Sequence, residues 1–185
     1  MKKTILFLSA AFIALCSFYI SDPVGKMFPT LTGETYAGKN ISIPAETKGK
    51  FTLIGMAYSK GAEGDLKTWI DPIYNKFIIQ RDTNNLLALN ITNYDVNLYF
   101  IPVFTGLNQA TAKASKKKIR EETDKELLPH LIFYEGDFKT YKEQLGISNK
   151  DIPYFYVLDK TGKIIYMTSG KYTDEKMEAI EDLLN

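Results

Sequence analysis

Cysteine is nearly missing from this chain. The single one, Cys16, lies inside the apolar leader Thr4–Ile20, so everything after it is free of thiols. Self-contained disulfide exchange and peroxide reduction are thereby excluded, because both need a thiolate and usually a second sulfur to resolve the intermediate. Histidine is equally scarce: His130 stands alone beside Pro129 and the apolar Leu131-Ile132-Phe133. With neither a second histidine nor a further cysteine, no transition-metal ligand set is marked out, and no cofactor is implied. Arginine occurs only as Arg81 and Arg120, so the bidentate fork that reads phosphate is in short supply. Taking Lys2 and Lys3 of the leader from the 23 basic residues leaves 21 against 22 acidic, a net charge of −1. That balance carries no nucleic-acid footprint. No Gly-x-Ser-x-Gly elbow exposes a serine, so a hydrolase built from Ser59 or Ser169 with His130 has no sequence support.

What is present begins with the leader: Lys2 and Lys3, then 17 uncharged residues from Thr4 to Ile20, then Ser21-Asp22-Pro23. This is the layout of an export signal. The apolar run is at the lower limit of a bilayer span, roughly 17–25 residues, so cleaved signal and retained anchor both stay open. Lipidation at Cys16 is a third fate, although Leu15 stands where a small residue is expected. Residues 1–21 are therefore read as signal peptide or membrane anchor, 22–27 as linker and 28–185 as one domain of ordinary size. If the leader is kept, its lysines hold the N-terminus in the cytoplasm and the domain lies outside, facing the periplasm or envelope. The tripeptides Asn40-Ile41-Ser42 and Asn90-Ile91-Thr92 fit the glycosylation pattern by chance.

Strands and helices alternate along the domain. Ile41–Ile43 reads as a short strand closed by Pro44, and Phe51–Tyr58 as a buried central strand. Gly61–Gln80 follows as a helix with Leu66, Trp69, Ile70, Ile73 and Phe77 on one face, kinked or restarted at Pro72. Asp95–Phe104 is a second core strand. Residues 106–126 form a lysine- and glutamate-rich helix with a thin stripe of Leu107, Ala110, Ala114, Ile119, Thr123 and Leu127. Its charges suit a solvated face with i,i+4 ion pairs. Leu131–Tyr134 is a candidate third strand, and a short helix presents Phe138, Tyr141 and Leu145. Tyr154–Leu158 and Lys163–Met167 make a hairpin about Asp159-Lys160-Thr161-Gly162. Thr173 caps a final helix carrying Met177, Ile180, Leu183 and Leu184.

This order, with Ile152-Pro153 opening the hairpin, resembles the thioredoxin-like fold: α/β, a central mixed sheet flanked by helices. The entry Phe28-Pro29-Thr30-Leu31 with Gly33, Ile43-Pro44 and Gly49-Lys50 is similar to that of secreted thioredoxin-like and peroxiredoxin-like proteins. The resemblance implies that Pro153 is the cis proline facing the start of the first long helix. It also implies that Ser59 and Ala62 stand where that family carries its two cysteines, so the family's activity is lost here. Two segments, Ser59–Tyr74 and Tyr154–Gly170, further resemble the assembly-factor family for the membrane sector of F-type ATP synthase, which has a thioredoxin-like fold without active cysteines.

The resemblance implies a binding role for a redox-inactive domain, with an unknown protein or extended peptide as partner. Tyr58, Ser59, Lys60, Gly61, Ile152, Pro153 and Tyr154 are the expected groove, gripping a partner by strand addition. An oxidoreductase or peroxidase relative that borrows an external thiol is the alternative. For His130 the expectation is a strand-end histidine with a satisfied hydrogen bond.

Overall fold

The computed structural model describes residues 22–78, 94–106 and 109–184. The leader with Cys16, the end of the expected first helix at Ile79-Gln80, and Asn90-Ile91-Thr92 lie outside them. Seven strands form one mixed sheet: β1 (Leu31–Thr35), β2 (Asn40–Ile43), β3 (Phe51–Ala57), β4 (Val96–Phe104), β5 (Ile132–Glu135), β6 (Tyr154–Leu158) and β7 (Ile164–Ser169). Their order is β2-β1-β5-β4-β3-β6-β7. β3, β4 and β5 run parallel, while β1, β2, β6 and β7 pair antiparallel with their neighbours. The helices are α1 (Glu63–Ile73), α2 (Gln109–Glu122), α3 (Lys139–Gln144) and α4 (Asp174–Leu184). No helix among the described residues is long and apolar enough to cross a membrane. The thioredoxin-like expectation therefore holds for the α/β architecture.

Alternation along the central strands builds two cores, one on each side of the sheet. Ile54, Met56, Tyr154, Tyr156 and Leu158 face one side with Phe28, Phe138 and Leu145. Leu53, Phe155 and Val157 face the other, against Trp69 and Ile73 of α1 and Met177 and Ile180 of α4. Trp69 is fully buried, stacks on Phe155 at 4.1 Å between centroids, and donates from Nε1 to the Gly170 carbonyl at 2.8 Å. That bond anchors α1, and with it the loop that precedes α1. Gly55 makes room for the stack, because a Cβ there would sit 2.7 Å from the Phe155 ring.

The first helix is interrupted in the way its proline requires. Pro72 lies inside α1, has no N–H to give the preceding turn, and the helix widens into a π turn over Tyr74–Ile78. Strand β1, by contrast, was not expected. Its sequence LTGET lacks an apolar run, and it exists because Gly33 lets it cross close to β5; a Cβ at Gly33 would lie 2.4 Å from Ile132 Cγ2.

The face of α2 also needs correction. Ala112 is buried and Ala114 exposed, so the stripe does not run through Ala114; the side chains of Leu107 and Ala110 lie outside the description. The outer face carries the expected i,i+4 pairs Lys117–Glu121 and Lys118–Glu122, both at 3.7 Å. The inner face instead carries charge. Lys116 Nζ lies 2.9 Å from both Glu34 and Glu135, and Arg120 reaches Glu34 at 2.8 Å. The guanidinium also stands 4.9 Å over the Phe133 ring. The hydrogen bond from Lys116, joined by that from Arg120 and opposed by burial, holds the Glu34 carboxyl below its ordinary value. Charge thus joins the apolar contacts of Ala112 and Ile119 in tying α2 to the sheet.

Candidate functional site

The site forms where β3 runs into α1. After Ala57 the backbone stays extended through Ser59, with φ −151° and ψ 165°, then turns over Lys60–Ala62 into the helix. Ser59 is the cap of that turn: its Oγ accepts from the Gly61 N–H at 3.0 Å. The same hydroxyl donates to Asp151 Oδ1 at 2.7 Å, across 92 residues of sequence. Asp151 presses so closely on the turn that a Cβ at Gly61 would lie 2.7 Å from Oδ1 and 2.8 Å from its Cβ. Gly61 is therefore the residue that allows the carboxylate to reach Ser59. Ala62 is fully buried beneath them.

The opposite wall is the turn before β6. Asp151 N–H donates to Asn149 Oδ1, and the Ser148 and Asn149 N–H groups donate to Tyr154 Oη at 3.2 and 3.0 Å. Tyr154 itself is buried, so its ring supports this turn from inside and does not flank an open groove. The cis bond among the described residues is Ile43–Pro44, and Ile152–Pro153 is trans. This corrects the expectation of a cis proline at 153: the chain enters β6 from a turn closed by Tyr154 and Asn149 side-chain bonds. Even so, Asp151 brings the two walls into contact. The Pro153 carbonyl accepts from Gly170 N–H, and Tyr154 is paired with Met56 on one side and Ser169 on the other. Ile152 differs. Among the described residues its N–H and C=O have no protein partner, and its side chain is half-buried against the core.

Tyr58 borders the same surface, half-exposed, its ring 5.5 Å from Phe138 and with Lys142 Nζ 5.4 Å above it. Lys60 is exposed. The structure thus brings Tyr58, Ser59, Lys60, Gly61 and Ile152 to one end of the sheet, with Pro153 and Tyr154 buried behind them. Asp151 was missed as a site residue, since nothing in the sequence links it to Ser59.

His130 lies elsewhere. Its Nδ1 donates to the Leu98 carbonyl at 3.0 Å, the satisfied strand-end bond expected. It precedes β5 whereas Ser59 follows β3, and these strands are parallel, so the two residues lie at opposite ends of the sheet. Ser169 is on β7, at the far edge. No Ser-His pair is assembled, and among the described residues no group of His, Cys, Asp or Glu is placed to hold a metal ion.

The family model described as ATP10 protein matches residues 11–185. The chain belongs to the ATP10 protein family. Solved structures place this member among thioredoxin-like folds. It resembles the DsbF homologue of Corynebacterium diphtheriae with TM-score 0.53 and 14% identity, covering 86% of this chain and 87% of that one. It also resembles the exposed lipoprotein thioredoxin of Streptococcus pneumoniae, with TM-score 0.52 and 15% identity over 83% and 98% of the two chains. The thiol peroxidase of Chromobacterium violaceum matches with TM-score 0.51 and 11% identity over 87% and 85%. At these identities the likeness is one of fold. No curated protein matches the chain. The ATP10 family chain thus has a redox fold and a single cysteine, Cys16, so it holds no pair with which to form an internal disulfide.

Proposed function

We propose that this ATP10 family member is a redox-inactive, exported thioredoxin-like domain that grips a segment of a partner protein during assembly of a membrane complex. The observation that carries the reading is the state of the site. At the head of α1 stands a serine whose hydroxyl is bound to Asp151, and beside it Ile152 offers a backbone donor and acceptor that have no partner among the described residues. An extended segment pairing with Ile152 would add main-chain hydrogen bonds, while Tyr58 supplies an apolar wall. No thiol is needed for either contact.

Export is supported by the leader and by the likeness to the exposed lipoprotein thioredoxin of Streptococcus pneumoniae. The assembly role is supported by family membership. A protein partner suits the site, because strand addition at Ile152 calls for another peptide backbone.

Photocrosslinking from position 60 in intact cells tests the reading. A discrete adduct is expected from position 60, absent when the probe is moved to Lys118 on the outer face of α2. Equal labelling from both positions would overturn it. The external-thiol alternative predicts disulfide reductase or peroxidase turnover with glutathione, whereas our reading predicts none above buffer.

A further inference from the structure

β7 is an end strand of the sheet, and its outer edge is only partly covered. At its start the segment after the leader lies along it. Gly25 N–H donates to the Ile164 carbonyl, Ile164 N–H to the Lys26 carbonyl, and Phe28 N–H to the Gly162 carbonyl. A turn closed by Lys26 N–H and the Pro23 carbonyl ends that cover at Gly25.

Beyond Ile164 the hydrogen bonds of an antiparallel ladder alternate in direction. Gly170 N–H bonds the Pro153 carbonyl, so the pairs Phe155–Thr168 and Val157–Tyr166 exchange their bonds, while Met167 and Ser169 turn theirs outward. Among the described residues Met167 N–H, Met167 C=O and Ser169 N–H have no partner on that side. The Ser169 carbonyl accepts from Lys176 Nζ of α4 at 2.8 Å. Exposed edges are commonly blunted by charge, by proline or by a bulge. From Ile164 to Gly170 there is neither a charged residue nor a proline, and the bulge opposite Val157 and Leu158 precedes the open stretch.

Beside this edge α4 adds an apolar strip. Lys176, Ala179 and Leu183 recur at intervals of three and four, so they share one side of the helix. Since Lys176 reaches Ser169, that side overlooks the edge. Ala179, Leu183 and Tyr166 are half-buried there. The acids of α4, Asp174, Glu175, Glu178, Glu181 and Asp182, fall outside the strip.

The length of the open window selects its occupant. It runs from Ile165 to Gly170, bounded by Gly25 at one end and at the other by the turn at Gly170, whose φ is +77°. A second β7, laid antiparallel with Thr168 opposite Thr168, fits it. Met167 of each copy then faces Ser169 of the other, and both pairs exchange hydrogen bonds. Gly170 of the second copy stands level with Tyr166, and there its chain turns away before it meets the occupied Ile164. A longer strand laid the same way runs into Gly25. Charge favours the same register. With Met167 opposite itself, Lys163 faces Lys171 of the other copy, and like charges directly opposed are unfavourable. The Thr168 register instead sets Lys163 level with Thr173, beside Asp174 and Glu175 of the other copy.

We propose that β7 is a dimer edge, at which two copies of this chain pair antiparallel about Thr168 and join their seven-stranded sheets into one. Helices lying over the last two strands of each sheet are then roughly 10 Å apart, the distance at which helices pack, so α4 meets α4 through Ala179 and Leu183. The two-fold axis stands across the sheet. The two Ser59–Ile152 sites therefore point to opposite ends of the dimer, and neither obstructs the other.

The test uses the full chain in detergent micelles with Cys16→Ser. In the proposed pairing the two Thr168 Cα atoms are about 4.5 Å apart, within reach of a disulfide. Mild oxidation should link Thr168→Cys rapidly into a covalent dimer and leave Ser42→Cys, on the opposite edge strand β2, unlinked. Sedimentation should show a concentration-dependent dimer. Thr168→Lys sets two ammonium groups against each other at the axis and should weaken association by about tenfold or more, with the Trp69 emission of a folded domain. Ala179→Lys, on the surface of α4, should act in the same direction. A monomer at every concentration reached overturns the proposal. So does equal linking from positions 42 and 168, which is random collision. A dimer that stays unlinked at 168 and is unaffected by Thr168→Lys also overturns it, and places the contact elsewhere on the chain.

Discussion

Placing cysteines at Ser59 and Ala62 is the perturbation that separates the fold from its chemistry. In a chain carrying Cys16→Ser, the substitutions Ser59→Cys and Ala62→Cys place a thiol at the capping position and a second one beneath it, at a fully buried site. Asp151 Oδ1 lies 2.7 Å from the present Ser59 Oγ, so a thiolate at 59 would meet a carboxylate at about 4 Å. Two like charges at that separation repel by ~1 kcal/mol in water and ~4 kcal/mol at the effective dielectric of a protein surface. Asp151 is exposed and Ser59 half-exposed, which favours the lower part of that range. With 1.36 kcal/mol per pH unit, Asp151 should hold the new thiol about one pH unit higher than its neutral replacement does.

The assay is thiolate absorbance against pH, comparing the double-cysteine protein with and without Asp151→Asn. Removing the carboxylate should lower the midpoint by about one unit and raise the thiolate fraction at neutral pH about tenfold. Since nucleophilicity falls with pKa, the rate of disulfide reduction should rise only about threefold. Identical midpoints in the two proteins would refute the argument that Asp151 guards the position.

Four further outcomes follow from named contacts, each read through the fluorescence of Trp69, the only tryptophan. Ser59→Ala removes both the cap of Gly61 and the bond to Asp151, and should cost about 1–2 kcal/mol in urea unfolding; an unchanged midpoint would mean that the cap bears no load. Gly55→Ala drives a Cβ into the Phe155 ring that stacks on Trp69. It should lose about 1–3 kcal/mol and alter the native emission, and a wild-type spectrum would contradict the packing described. Lys116→Met leaves Glu34 and Glu135 facing each other without their shared cation, and should cost about 1–3 kcal/mol; no loss would mean that α2 docks by other means. Glu34 has a folded pKa below its ordinary 4.5, so its contribution is complete above that value and disappears as pH falls through the lower folded value. Glu34→Gln should therefore flatten the acid limb of stability below pH 4.5, and a limb of unchanged slope would count against the network.

The readable parts of the sequence were those written in periodicity and turn chemistry. β3 and β6 showed as apolar runs, the α1 face as Leu66, Trp69, Ile70 and Ile73, and the hairpin through Gly162, which does have φ +92°. β1 was illegible because it is held by the close approach of Gly33 to Ile132, a fact about space rather than about pattern. The inner face of α2 was misread for a related reason. Lys116 and Arg120 look like solvent-facing residues until Glu34 and Glu135 are brought to them from two other strands. At the site, Ser59, Ala62 and Ile152 could be named in advance because the resemblance to the thioredoxin-like fold singles out the start of its first long helix and the proline before its hairpin. Asp151 could not, since its bond to Ser59 spans 92 residues. The expected cis proline failed because proline identity fixes φ but leaves the isomer of the preceding bond to the surroundings.

Amide hydrogen exchange at Ile152 tests the central claim most directly. In the free protein this N–H has no partner among the described residues and should exchange quickly. Added in excess, the protein captured from position 60 should slow exchange at Ile152 at least tenfold, with lesser protection over Lys60 and Gly61. Fast exchange at Ile152 in the saturated complex, with protection arising on α2 or the β7 edge instead, would contradict the account.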